Sequence, residues 1–247
     1  MPGPDVDLGH PRARTVYAAA WRMFREHPGT VVGTAAIVLV PFAVIDAVGL
    51  LHVEIDSSAT TADIVTVVLT LVASTLSGLA SIFYAGMLDH ASAAWHRGEQ
   101  VPRASEIATH LPWWRLVLAS ILWFVAVSVG MLLFVVPGLV ALLLFSLTGP
   151  VLVREDLGAW AAMRRSAALV RRRPGLVTLT AVLPFVGETY LSDLMAEIFG
   201  HSLALEVAVE VLAALFLASF VGLLEVVTAH QLIVAEALAA SEGATSS

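Results

Sequence analysis

Residues 116–153 read LVLASILWFVAVSVGMLLFVVPGLVALLLFSLTGPVLV, a run of 38 residues without one charged side chain. An α-helix needs roughly 20 apolar residues to cross about 30 Å of hydrocarbon. The run is too long for one crossing, and Pro137-Gly138 near its middle favours a turn. At about 1.5 Å of rise per residue, the run predicts a hairpin of two short transmembrane helices that turns at Pro137-Gly138.

Four more segments have the composition of membrane spans. They are residues 30–51, which contain Pro41 and Asp46; the uncharged residues 64–88; residues 176–191; and residues 211–233. The chain is 58% hydrophobic and 13% charged, whereas about 25% is usual for soluble domains. The fold predicted is therefore all-α: a polytopic integral membrane protein with six transmembrane helices and three amphipathic interfacial helices.

All 13 basic residues are arginines, and they fall in three groups: before the first span, between the second and third, and between the fourth and fifth. The alternate connections, 52–63, the Pro137-Gly138 turn and 192–210, contain none. Because cytoplasmic loops are enriched in Lys and Arg, both termini are predicted to be cytoplasmic. We expect a multi-pass protein of a bacterial inner membrane. If residues 176–191 only dip into the membrane, the C-terminus lies outside instead.

Each arginine-bearing segment is predicted to be a surface helix that leads into a transmembrane hairpin. In the first, Tyr17, Ala20, Trp21 and Phe24 share one face by helical spacing, and Arg22, Arg25 and Glu26 share the other. In the third, the apolar face holds Trp160, Met163, Ala167 and Val170, and Pro174-Gly175 ends the helix as Pro28-Gly29 ends the first. These patterns suggest a polar tail over 1–14, a membrane domain of three degenerate repeats over 15–237 and a flexible tail over 238–247.

Three motifs carry a resemblance to a known family. They are Phe134-Val-Val-Pro137-Gly138, then Gly149-Pro150-Val-Leu-Val-Arg154-Glu155, then Gly158-Ala-Trp-Ala161-Ala-Met-Arg164-Arg165-Ser166. The chain resembles bacterial uncharacterised membrane proteins that are labelled after the membrane domain of glycerophosphoryl diester phosphodiesterase. The resemblance implies an architecture and not an activity, because a separate soluble barrel performs hydrolysis in the enzymes that give the name.

The arginines and the acidic residues form two candidate sites. Cations near a membrane surface contribute about 1 kcal/mol each to binding anionic headgroups; the candidate contacts are Arg22, Arg25, Arg164, Arg165, Arg171, Arg172 and Arg173. The same charges also serve orientation alone. Ionisable groups inside a membrane often mark a pathway or a hydrated cavity; the candidates are Asp46, Glu188, Glu225 and His230, the last two also suited to a structural hydrogen bond.

The second span carries small and hydroxylated residues at helical spacing: Thr66, Thr70, Ser74 and Gly78. Such a stripe favours close packing against another helix, and a pore lining is the alternative.

The sequence contains none of the catalytic signatures that we sought: a His-Glu-x-x-His zinc motif, a nucleophile elbow or a phosphate-binding glycine loop. Cysteine is absent, and the net charge of −7 disfavours a nucleic-acid partner. We therefore expect no catalytic, metal or cofactor site. The leading hypothesis is a non-enzymatic lipid-binding or scaffold protein, with anionic lipid and a protein partner or second copy as its partners. The alternatives are a small-solute transporter or export component with an outward-facing acidic cavity, and an intramembrane lipid hydrolase.

Overall fold

A computed structural model describes residues 11–51, 80–199 and 202–245, and every regular element in these ranges is helical. The first four helices are α1 (Ala13–Glu26), α2 (Pro28–Leu51), α3 (80–96) and α4 (Ala104–His110). The packing stripe predicted in the second span, at Thr66, Thr70, Ser74 and Gly78, lies outside the described residues. An all-α fold is thus confirmed for the part of the chain that the structure describes.

The uncharged run forms a helical hairpin, as predicted, but its turn is not at Pro137-Gly138. Helix α5 covers Trp113–Leu133 and α6 covers Val135–Phe145, so the chain reverses at Phe134, whose backbone is extended (φ −162°, ψ 150°). Pro137 lies in the first turn of α6, where a missing N–H removes no intrahelical bond. After Ser146 and Leu147 the second arm continues as α7 (Thr148–Arg154).

The last third of the chain is more helical than predicted. Helix α8 (Ala159–Arg172) leads to the short α9 (Pro174–Val177), a π-helical turn (Thr178–Val182) and α10 (Leu183–Phe199). It is followed by α11 (Leu203–Ala213), a second π-helical turn (Ala214–Ala218) and α12 (Ser219–Thr245). Most of the connection predicted over 192–210 is therefore helix. The acidic residues Glu197, Glu206 and Glu210 of this connection lie on helices that extend the apolar segments.

The two proline-glycine elbows have nearly the same backbone conformation. Helix α1 ends before His27 (φ −129°, ψ 52°), and α8 ends before Arg173 (φ −142°, ψ 57°). In both cases Pro-Gly does not close the first helix but begins the next one, because proline suits the first helical position. The three-fold repeat itself stays a prediction.

Tyr84 is at the centre of the helix packing. Its ring is buried, and its hydroxyl lies 3.2 Å from the carbonyl oxygen of Ser219 and 3.4 Å from that of Val31. A Cβ on Gly222 would lie 2.6 Å from this ring, so only glycine lets α12 approach so closely. The contact joins α2, α3 and α12 into one core.

Among the described residues, three helices are long and apolar enough to cross a membrane: Trp113–Leu133, Val135–Arg154 and Val207–Glu242. Two shorter apolar stretches of helix are Pro28–Pro41, at the start of α2, and Pro174–Glu188, from α9 into α10. Many large apolar side chains of α5 and α6 are exposed on the protein surface. These features indicate association with a membrane.

Candidate functional site

We call the end of the helix bundle that carries Arg115, Arg154 and Arg165 the arginine end. All three residues meet the turn that follows α7: Arg154 precedes it, Arg115 binds Asp156, and Arg165 binds Glu155. Helix α1 lies at this end too, because Glu26 accepts a hydrogen bond from Trp95 Nε1 (2.7 Å) near the end of α3. The candidate headgroup contacts therefore surround one end of the molecule.

Helix α8 divides into a buried face and an exposed face. Met163, Ala167 and Val170 are buried, as predicted. Trp160 was expected beside them but is 65% exposed; it lies on a line with the exposed Arg164 and Arg171, at positions i, i+4 and i+11. Ala159, Ala162, Ala167 and Leu169 of α8 fill the core contact, which leaves the large indole on the arginine side. We call this line the α8 stripe.

Helix α1 shows a similar arrangement. Its buried residues are Val16, Ala19, Ala20 and Met23, so the predicted apolar face, which included Tyr17 and Trp21, is rotated. Trp21 is exposed and lies on a line with Arg14 and Arg25, which we call the α1 stripe. The rings of Tyr17, Trp21 and Phe24 also surround Phe220 of α12, with centroids 6.1–6.4 Å apart. Aromatic rings thus lie at the rim of the contact, and Val16, Ala19, Ala20 and Met23 fill its centre.

Two of the predicted headgroup contacts are engaged within the protein. Arg165 lies 2.7 Å from Glu236 and 3.0 Å from Glu155, and Arg172 lies 2.8 Å from the other oxygen of Glu236. The hydrogen bond with Glu236 raises the pKa of the Arg165 guanidinium. These carboxylates neutralise much of the charge that a lipid would otherwise meet. Arg172 is nevertheless 62% exposed, and Arg164, Arg171 and Arg173 are exposed as well.

A buried ion pair at the arginine end was not predicted. Asp89 of α3 lies 2.7 Å from Arg154 Nη2, and their side chains are 2% and 14% exposed. The two atoms are close enough for an ion pair, but their geometry is not that of a hydrogen bond. Arg154 Nε donates a hydrogen bond to the other carboxylate oxygen of Asp89 at 3.2 Å. The sequence held one signal for the pair, since each residue follows a long uncharged run.

Two histidines complete this cluster. Arg154 Nη1 contacts Nδ1 of His230, which must accept because a guanidinium can only donate. The ring of His230 lies 3.9 Å from that of His96, whose Nδ1 is 2.8 Å from the carbonyl oxygen of Ser92. His230 therefore contacts Arg154 and His96. The hydrogen bond predicted between His230 and Glu225 is not found among the described residues. The cluster holds α3, α7 and α12 together.

Glu188 and Glu225 meet at a different place. Both line a cavity of about 20 Å³ together with Leu39, Tyr84 and Ser81. A neighbouring cavity of about 30 Å³ is also lined by Glu225 and Ser81, with Trp123 and Ser146. Each volume suits a water molecule or two. Asp46 lies within α2, and its side chain is outside what the structure describes.

Within the described residues, no group of three or more His, Asp or Glu side chains is placed to hold a metal ion. Comparison with known proteins finds no matching family model, curated protein or solved structure. The arguments for function therefore come from the geometry of the chain itself.

Proposed function

We propose that this protein is a non-enzymatic membrane protein of lipid-binding or scaffold type, which binds anionic headgroups through the α1 and α8 stripes. The observation that carries the proposal is the exposed face of α8, where Trp160, Arg164 and Arg171 lie on one line. Tryptophan prefers the boundary between headgroups and hydrocarbon, and arginine binds phosphate oxygens with its planar fork. One helix face thus offers both a depth anchor and a phosphate ligand.

The internal ion pairs strengthen this proposal. Positive charge on the cytoplasmic side is enough to orient a protein in the membrane. Orientation alone does not explain why some arginines form ion pairs within the protein while others do not. Glu155 and Glu236 form ion pairs with Arg165 and Arg172, whereas the described residues hold no ion pair for Arg164 or Arg171, so the α8 stripe is a surface with uncompensated charge. Anionic lipid is the partner whose charge and depth match it.

The proposal includes a topology of six crossings in a bacterial inner membrane, with both termini on the arginine side. Its support is the distribution of the 13 arginines, all of which fall before the first span, between the second and third, or between the fourth and fifth. The likeness to the uncharacterised membrane family fits this architecture and suggests no chemistry.

Native mass spectrometry of the protein, released gently from its own membrane, tests the proposal. We expect bound phosphatidylglycerol or cardiolipin to be retained in preference to phosphatidylethanolamine. Release of a protein with no lipid, or retention without regard to headgroup charge, would contradict the proposal.

A second candidate function has one observation in its favour, the shared cavity of Glu188 and Glu225. Two carboxyl groups in an apolar surrounding bind protons or small cations, and a water-sized cavity fits those better than an organic solute. Proton uptake into vesicles that contain the purified protein would test this candidate. The Glu188→Gln plus Glu225→Gln variant should abolish uptake, whereas Glu197→Gln, at an exposed position, should not. Equal uptake by all three proteins, or none by the wild type, rules this candidate out.

A further inference from the structure

The tip of the α5–α6 hairpin is an exposed surface made only of large apolar side chains. Five consecutive residues are exposed by 64–87%: Leu132, Leu133, Phe134, Val135 and Val136. No charged residue occurs between Arg115 and Arg154, so neither arm offers a charge that would draw the tip toward water. A turn that reached the aqueous phase would present these five side chains to it.

The backbone of the turn pairs two of its N–H groups within the chain. The Phe134 N–H donates to the carbonyl oxygen of Gly130 (3.0 Å), and the Gly138 N–H donates to the carbonyl oxygen of Phe134 (3.3 Å). Pro137 has no N–H, which removes one of the donors that the start of α6 would otherwise leave unpaired. Unpaired backbone groups are costly in hydrocarbon, so this arrangement lowers the cost of keeping the turn out of water.

The two arms are also in contact near the tip. A Cβ on Gly130 would lie 2.8 Å from the Cα of Gly138, so the backbones touch there. A side chain at either position would separate the arms. The close contact makes the tip narrow and leaves the five apolar side chains on its outer surface, flanked by the exposed Met131 and Pro137.

The length of the hairpin sets how far the tip reaches. Arg115 is ion-paired with the exposed Asp156 and follows Trp113 and Trp114, which are both exposed, so we place it among the headgroups. From Arg115 to Phe134 the chain advances 19 residues, about 28 Å of helix. The hydrocarbon layer is about 30 Å thick, and any tilt of the hairpin shortens its reach.

We propose that residues 132–136 remain among the acyl chains of the far leaflet and do not emerge into water. The third and fourth of the six proposed crossings then form one hairpin that enters and leaves the membrane on the arginine side, and both termini stay on that side. The partner of this surface is lipid hydrocarbon. The inference needs insertion of the hairpin but not headgroup binding by the α1 and α8 stripes, so each proposal can fail without the other.

Because the chain contains no cysteine, a single spin label can be attached at one introduced cysteine without first removing native cysteines. We would label Phe134→Cys, Val129→Cys as the acyl-chain control and Gln100→Cys as the aqueous control; Val129 and Gln100 are both exposed on the protein surface. The proteins would be placed in lipid vesicles. Electron paramagnetic resonance power saturation then measures access of oxygen, which concentrates in acyl chains, and of a water-soluble nickel chelate.

The proposal predicts that oxygen reaches the label at position 134 as readily as the one at 129, and that the nickel chelate reaches only the label at 100. Access of the nickel chelate to position 134 would overturn it, because the tip would then be in water. Exclusion of both reagents from position 134 would also overturn it, because protein rather than lipid would cover the tip.

Discussion

Asp89 and Arg154, 65 residues apart in the chain, form an ion pair of 2.7 Å in which the carboxylate side chain is only 2% exposed. Asp89 lies within α3, directly after the uncharged run 64–88. Arg154 ends α7 and with it the second arm of the hairpin. The pair therefore fixes the hairpin against α3, and His230 adds α12 to the same contact. This arrangement holds the arginine end together, and it supports the helices that present the arginine stripes.

Removal of one partner should destabilise the protein strongly. Asp89→Leu leaves the Arg154 charge buried without its counter-ion, which costs about 3–5 kcal/mol in comparable sites. Thermal unfolding in detergent should show a clear drop in midpoint. The double variant Asp89→Leu plus Arg154→Met should recover most of the loss, because an apolar pair can replace a buried ion pair. Equal instability of the single and double variants would contradict this account.

Gly222→Ala should disturb the centre of the core. The added Cβ would lie 2.6 Å from the Tyr84 ring, so the ring must move away from the Ser219 and Val31 carbonyl groups. We expect a loss of about 1–3 kcal/mol in unfolding free energy, as for overpacked cores. Gly187→Ala is the matched control: nothing lies within 4 Å of its Cβ position, and a gain of about 0.5–1 kcal/mol is expected. Equal stability of the two variants would argue against the packing described.

The sequence predicted the parts of the fold that depend on composition along the chain. Long uncharged runs and the elbows at Pro28 and Pro174 could be located because hydrophobic length and proline chemistry are local properties. The turn at Phe134 was misplaced because proline fits the first turn of a helix as well as it fits a loop. Trp160 was assigned to the wrong face because helical spacing alone does not decide which apolar residues enter the core.

The candidate site could be predicted only in part, for a related reason. The arginine-rich segments were visible, but Glu236, which neutralises Arg165 and Arg172, lies more than 60 residues away in the chain. The Asp89–Arg154 pair and the shared cavity of Glu188 and Glu225 likewise join helices that are distant in sequence. Which charges are satisfied inside the protein, and which face outward, depends on the packing of helices.

Glu236→Gln should increase binding of anionic lipid. The substitution removes the carboxylate from Arg165 and Arg172 and leaves more positive charge at the arginine end. Stability should fall by no more than about 1 kcal/mol, because these pairs are partly exposed. Glu197→Gln makes the same charge change at an exposed position on α10 and should leave lipid binding unchanged. Lipid titration in nanodiscs measures both variants, and an equal increase in the two would show only an effect of net charge.

The central claim is that the α8 stripe binds anionic headgroups. The most direct test is the affinity of the Arg164→Gln plus Arg171→Gln variant for phosphatidylglycerol, measured by native mass spectrometry. At about 1 kcal/mol for each cation, the loss of two predicts a roughly 30-fold weaker affinity. The control, Arg97→Gln plus Arg103→Gln, removes the same charge from exposed positions outside both stripes and should bind nearly as the wild type does. Equal affinities for the stripe variant and the wild type would contradict the proposed function.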